Sequence, residues 1–140
     1  MQKSRLFRIK ILFPIYLLVV FFCSCSSASD VSLPASHDFK TPGEHIEVSY
    51  TPVYVESLSI AQLEGDSYLQ VEGYLPTPCH HPAPFTAKRK EALLEITLFA
   101  WQDTEVMCAQ ALEPVTLYFK IPKKDRPEII TVNEVSITVN

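Results

Sequence analysis

The sequence predicts an all-β protein, a β-sandwich of immunoglobulin-like kind made of about seven short antiparallel strands. Three observations carry that expectation. From His45 onward apolar residues recur at every second position rather than at helical spacing. The apolar stretches arrive about every ten residues, with Pro52, Pro76, Pro78, Pro114, Pro122 and Pro127 at their ends, where a missing N–H does a ladder no harm. No stretch has the length and period of a long amphipathic helix. A small barrel is the alternative arrangement of such strands.

Taken in chain order, 53–60 (VYVESLSI) is expected to place Tyr54, Leu58 and Ile60 on one face. Residues 68–75 (YLQVEGYL) turn Leu69, Val71 and Leu75 inward, with Gly73 marking a bulge or a close backbone approach. Residues 93–101 (LLEITLFAW) alternate Leu94, Ile96, Leu98 and Ala100 against Glu95, Thr97, Phe99 and Trp101. Both faces are mostly apolar, so this strand is central or meets a partner. Residues 115–121 set Val115, Leu117, Phe119 and Ile121 on one side, and the last twelve residues read as two short strands turning at Asn133-Glu134. Ala87 to Leu94 has helix formers for two turns at most, and Lys88-Arg89-Lys90 within it reads as a soluble hairpin tip.

The amino-terminal part has a different composition. Lys3, Arg5, Arg8 and Lys10 precede an uncharged run from Ile11 to Phe22, and then comes Cys-Ser-Cys-Ser-Ser. This is the layout of a secretory signal. A helix of twelve residues rises about 18 Å, short of the roughly 30 Å hydrocarbon core, so a permanent span is disfavoured. The segment resembles a bacterial lipoprotein signal, in which a small residue precedes a cysteine that is acylated and becomes the first residue of the mature chain. Ser24 before Cys25 suits such a cut better than Phe21-Phe22 before Cys23. Three regions follow from this: residues 1–24 as signal peptide, 25–44 as a flexible Ser- and Pro-rich tether reaching on the order of 24 Å, and 45–140 as the β-domain. By the same resemblance Ser26, after the lipidated Cys25, releases the protein from the inner membrane of a two-membrane envelope.

Charge and cysteines narrow the function. Of 12 basic and 16 acidic residues, four basic ones lie in the signal, so the mature chain carries 8 against 16. An acidic chain is a poor sequence-independent binder of nucleic acid. Cutting before Cys25 also leaves two thiols, Cys79 and Cys108, rather than an odd number in an oxidising compartment. A bridge between them would close a loop of about 30 residues and stabilise the fold by roughly 3.6 kcal/mol on the chain-entropy formula.

The two cysteines sit in flanks that resemble those of small bacterial envelope lipoproteins with an immunoglobulin-like sandwich. There a strand ends Gly-x-Leu-Pro-x-x-Cys, a second cysteine leads through Gln, Leu and Pro into an apolar strand, and a closing hairpin carries Val-Asn-Gly. Gly73, Leu75, Pro76, Cys79, Cys108, Ala111, Leu112, Pro114 and Asn133 match. Gln110 is shifted by one, Val115 stands for Phe, Glu134 stands for the hairpin Gly, and a Gly-x-Tyr before the last strands is missing. The resemblance covers about residues 53–139 and implies the sandwich and a Cys79–Cys108 disulfide, but no activity.

Catalytic signals are missing. There is no Gly-x-Ser-x-Gly elbow, no phosphate-binding glycine loop with only 3 glycines, and no carboxylate pair set face to face by spacing, so no enzyme and no cofactor is expected. Cys79-His80-His81 with Cys108 invites a copper or zinc reading, but neighbouring histidines on extended backbone point apart and an oxidised pair offers no thiolate. Tyr50, Tyr54, Tyr74, Phe99, Trp101 and Tyr118 could line a binding face. Trp101, on the outer phase of its strand, and His80 and His81 are the candidate contact residues. The expectation is therefore a lipid-anchored, non-enzymatic module at the cell envelope. Its partners would be the membrane, through the lipid, and an envelope protein or polymer. The alternatives are a protease inhibitor using the Pro76–Pro84 segment and a Cys/His metal carrier.

Overall fold

The computed structural model describes residues 28–140. The signal segment and Cys25 lie outside the described residues. The described chain forms eleven strands: β1 (Ser29–Asp30), β2 (Val48–Pro52), β3 (Tyr54–Leu63), β4 (Asp66–Leu75), β5 (His81–Pro82), β6 (Thr86–Lys90), β7 (Leu93–Thr97), β8 (Phe99–Asp103), β9 (Glu113–Lys120), β10 (Ile129–Val132) and β11 (Val135–Thr138). They form three sheets, ordered β1-β6-β7-β10-β11, β2-β8-β5 and β3-β4-β9, packed as a β-sandwich. The expected all-β sandwich is the observed fold, with eleven strands in place of about seven because long apolar runs are divided between sheets and short edge pairings add to the count. The core runs through Leu69, Val71, Leu94, Ile96, Leu98, Leu117, Phe119, Ile130 and Val132, all buried.

Not every pairing is antiparallel. β7 and β10 pair in parallel, Leu93 opposite Ile129 through Ile96 opposite Val132. The chain between them leaves this sheet for β8 and β9 in the other two sheets, so β10 returns in the direction of β7. The strand read as 93–101 is divided at Leu98, where the backbone passes from one sheet to another. β2 and β3 divide in the same way at Val53, and Val53 N–H donates to Leu98 O at 3.1 Å.

Asn133 fills this crossing. Its Nδ2 donates to Val53 O at 2.8 Å and to Leu98 O at 3.2 Å, while its Oδ1 accepts from Leu98 N–H at 2.9 Å. It also has φ of 51° at the β10–β11 turn, a conformation Asn tolerates better than most residues. One side chain thus turns the hairpin and satisfies the backbone where two strands change sheets.

The expected face of β3 is corrected in part. A bulge between Val55 and Ser57 inserts Glu56 and shifts the alternation. Val53 and Val55 are inward before it and Leu58 and Ile60 after it, so Tyr54 points to solvent. Gly73 lies opposite. A Cβ there would stand 2.1 Å from Tyr54 O, which is the close backbone approach read from the sequence. The two-helical-turn alternative for 87–94 is a β-hairpin, with Lys90 opposite Leu93 and Glu91 turning at φ 51°.

The described part of the expected tether is bound to the sandwich. Ser29 and Asp30 pair with Arg89 and Lys88 along β6. Leu33 is buried, Ala35 bridges to Phe119, Lys120 N–H donates to Pro34 O at 2.8 Å and Ser36 N–H donates to Tyr118 O at 3.1 Å. Phe39 then packs against Phe85 and Phe119, with centroids at 5.2 and 6.0 Å. Residues 29–40 therefore close one side of the sandwich, covering the free edges of β6 and β9, which would otherwise offer unpaired backbone to another chain. Val31, Leu33, Ala35 and Phe39 share one strand phase and all pack on the core, but among Ser, Pro and small residues that alternation is weak beside the composition of a tether.

Candidate functional site

The two cysteines are joined. Cys79 and Cys108 form a disulfide with Cα atoms 6.0 Å apart, linking the turn after β4 to the loop between β8 and β9. Register places both at one end of the sandwich, because Leu75, the last residue of β4, is opposite Glu113, the first of β9.

The turn after β4 is tightly held. Thr77 and His80 are buried, and His80 N–H donates to Thr77 O at 3.1 Å. The Thr77 hydroxyl donates to Gln102 Oε1 at 3.3 Å, which leaves His80 Nδ1–H as the donor in its 2.8 Å bond to Thr77 Oγ1. Burial, with His81 as the second cause, holds the His80 imidazole below its ordinary pKa. His80 is only 8% exposed and so is no contact residue. The Pro76–Pro84 segment is unsuited to be an inhibitor loop, since Thr77, His80, Pro82 and Ala83 are all buried.

Trp101 lies on the other phase from Ala100 but is largely covered: its Nε1–H donates to Lys40 O at 2.6 Å and it is 8% exposed, so only part of its ring is left as a contact surface. The strap that hides it begins far away in sequence, so strand phase alone could not reveal the cover. His81, half-buried, stands opposite Trp101 with ring centroids 4.8 Å apart. The two rings, with Ile46, Cys79, Asp103 and Val106, line an open depression of about 390 Å³.

Beside this depression projects the loop that the sequence reading passed over. Its base is fixed by Thr104 N–H donating to Glu47 O at 2.9 Å and by Gln102 Nε2 donating to Val106 O at 3.0 Å. Beyond Val106, 45% exposed, stand Met107 at 98% and Leu112 at 63%. Three large apolar side chains on a short segment clamped by a disulfide were legible as VMCAQAL, but without strand period they read as connection.

Of the other aromatic candidates, Tyr50 is exposed and stands opposite Trp101 across β2 and β8. Tyr54 and Tyr74 pair on the outer face of β3 and β4 with centroids 6.4 Å apart, and Tyr74 is held above its ordinary pKa chiefly by the charge of Glu56. For metal chemistry, the disulfide leaves no thiolate at Cys79 or Cys108. Among the described residues no three His, Cys, Asp or Glu side chains come together as a metal-holding group.

Fold and site together define a disulfide-stapled β-sandwich domain with one loop-bearing apolar end. The chain belongs to the ORF11 β-sandwich domain family, which matches residues 69–140, from within β4 through β11. No curated protein and no solved structure matches it.

Proposed function

We propose that this is a lipid-anchored protein of the cell envelope that works by binding rather than catalysis, with the disulfide-clamped loop as its contact surface. The observation that carries this reading is Met107, 98% exposed between Val106 and Cys108 on a loop whose base is hydrogen-bonded and bridged. A large apolar side chain held in water costs free energy unless something covers it. A clamped loop loses little conformational entropy when that happens. The His81–Trp101 depression beside it supplies a concave neighbour for a partner side chain.

The lipid anchor rests on the sequence: the basic start, the apolar run Ile11–Phe22 and Ser24-Cys25, together with the resemblance to small bacterial envelope lipoproteins. The binding surface is tested by cross-linking the full chain in its own membranes and repeating this with Met107→Asp and Leu112→Asp. The expected result is a cross-linked protein that falls at least about tenfold with either variant while the thermal midpoint is unchanged, in line with loss of an interface anchor. Equal cross-linking by wild type and both variants means that the loop is not the contact surface.

One observation favours a protease inhibitor as the second reading. The Met107–Cys108 peptide bond lies on an exposed loop braced by a disulfide, a better place for an inhibitory segment than Pro76–Pro84. Failure to slow a panel of cysteine and serine proteases at micromolar concentration eliminates it.

A further inference from the structure

The lysines and arginines are unevenly placed. Seven of the eight that follow residue 24 lie in 88–90 and 120–126, and the eighth is Lys40. The fold brings the two segments to one end, where the Arg89 guanidinium donates to Asp125 O and Tyr68 is opposite Lys120. Lys90 is paired with Glu95 at 2.9 Å, and Lys120 and Lys123 are paired with Asp66. Lys88, Lys124 and Arg126 are exposed and form no ion pair among the described residues. Glu47, Asp103, Glu105 and Glu113 lie at the other end, beside the Cys79–Cys108 loops.

The same end is where the chain enters. Ser29 is paired with Arg89 and Asp30 with Lys88, so β1 starts beside the β6–β7 hairpin tip. Only residues 26–28 separate Cys25 from β1, a reach of at most about 14 Å from Cys25 to Ser29. The opposite end lies a full β4 length away, about 33 Å for ten residues.

We propose that the Lys88, Lys124 and Arg126 end seats on the anionic headgroups of the membrane that holds the lipid, so that the domain stands upright with the Met107 loop pointing away. The proposal rests on acylation of Cys25, which fixes the end nearest the bilayer. Unpaired cations there meet headgroup phosphates, while the acidic end is repelled from the same surface. Both effects weaken with salt, since exposed charges are screened beyond about 10 Å at 0.1 M.

The test is lysine footprinting of the full chain, purified from membranes and reconstituted into vesicles of phosphatidylcholine alone or with three-tenths phosphatidylglycerol. Mass spectrometry reads both amine labelling and the lipid on Cys25. On the phosphatidylglycerol vesicles Lys88 and Lys124 are expected to be labelled roughly threefold or more slowly than on phosphatidylcholine, with Lys40 unchanged as internal control and the difference lost in half-molar salt. The Lys124→Glu/Arg126→Glu variant, with its thermal midpoint checked, should remove the protection of Lys88. Equal labelling on both vesicles, or protection of Lys40 to the same degree, overturns the proposal. A sample without lipid on Cys25 refutes the anchor reading instead, and the two failures are read from separate peptides of one digest.

Discussion

Asn133→Ala tests how the two divided strands are held. The substitution removes three hydrogen bonds; Leu98 O keeps the one it accepts from Val53 N–H, whereas Val53 O and Leu98 N–H, both on buried residues, lose theirs. A buried backbone group left without a partner costs about 1–3 kcal/mol, so the pair costs about 2–6 kcal/mol. Placing Ala at φ 51° adds about 1 kcal/mol. We expect a loss of about 4 kcal/mol by urea denaturation at constant slope, and a thermal midpoint lower by roughly 15 °C. Asn133→Gly separates the two effects, because Gly keeps the positive φ and loses only the hydrogen bonds. A loss below about 1 kcal/mol for Asn133→Ala would refute the idea that this side chain pins the crossing of β2–β3 with β7–β8.

Three further predictions concern stability. Replacing both Cys79 and Cys108, 29 positions apart in sequence, by Ala should lower stability by about 3.6 kcal/mol and make 104–112 the first segment cut in limited proteolysis; an unchanged denaturation midpoint would contradict the clamp. Gly73→Ala forces the β3 backbone away from a Cβ that would stand 2.1 Å from Tyr54 O, at about 2–3 kcal/mol; a neutral result in calorimetry would mean that β3 can shift freely. His80, held below its ordinary pKa of 6.5, stays neutral in the fold while the unfolded chain takes up a proton. Stability should therefore fall as pH drops below about 6.5 and go on falling to the lowered folded value, and His80→Gln should flatten that slope in urea titrations.

Strand phase was legible wherever one face met the core without interruption. Leu69, Val71 and Leu75, the even series from Leu94 to Ala100, and Leu117, Phe119 and Ile121 are buried as their alternation implies. The Asn133-Glu134 turn and the constraint on Gly73 were legible too, since each depends on a local backbone requirement. Legibility ended where a distant segment decided the outcome. The bulge at Glu56 reversed the phase of Tyr54, and its cause lies in the pairing with β4. Trp101 and the edges of β6 and β9 are covered by residues 29–40, whose alternating Val31, Leu33, Ala35 and Phe39 are masked by the Ser and Pro between them. The candidate site was half visible: Cys79, His81, Cys108 and Trp101 do come to one end, but the most exposed apolar residue, Met107, lay in a stretch with no strand signal.

We propose that a lipid on Cys25 holds this domain at a membrane and leaves the Cys79–Cys108 loop free to bind. Intact-mass and peptide mass spectrometry of the protein extracted from its own membranes tests it most directly. The predicted result is a chain beginning at Cys25, acylated there and lacking residues 1–24. An unmodified chain that keeps its original amino terminus would contradict it.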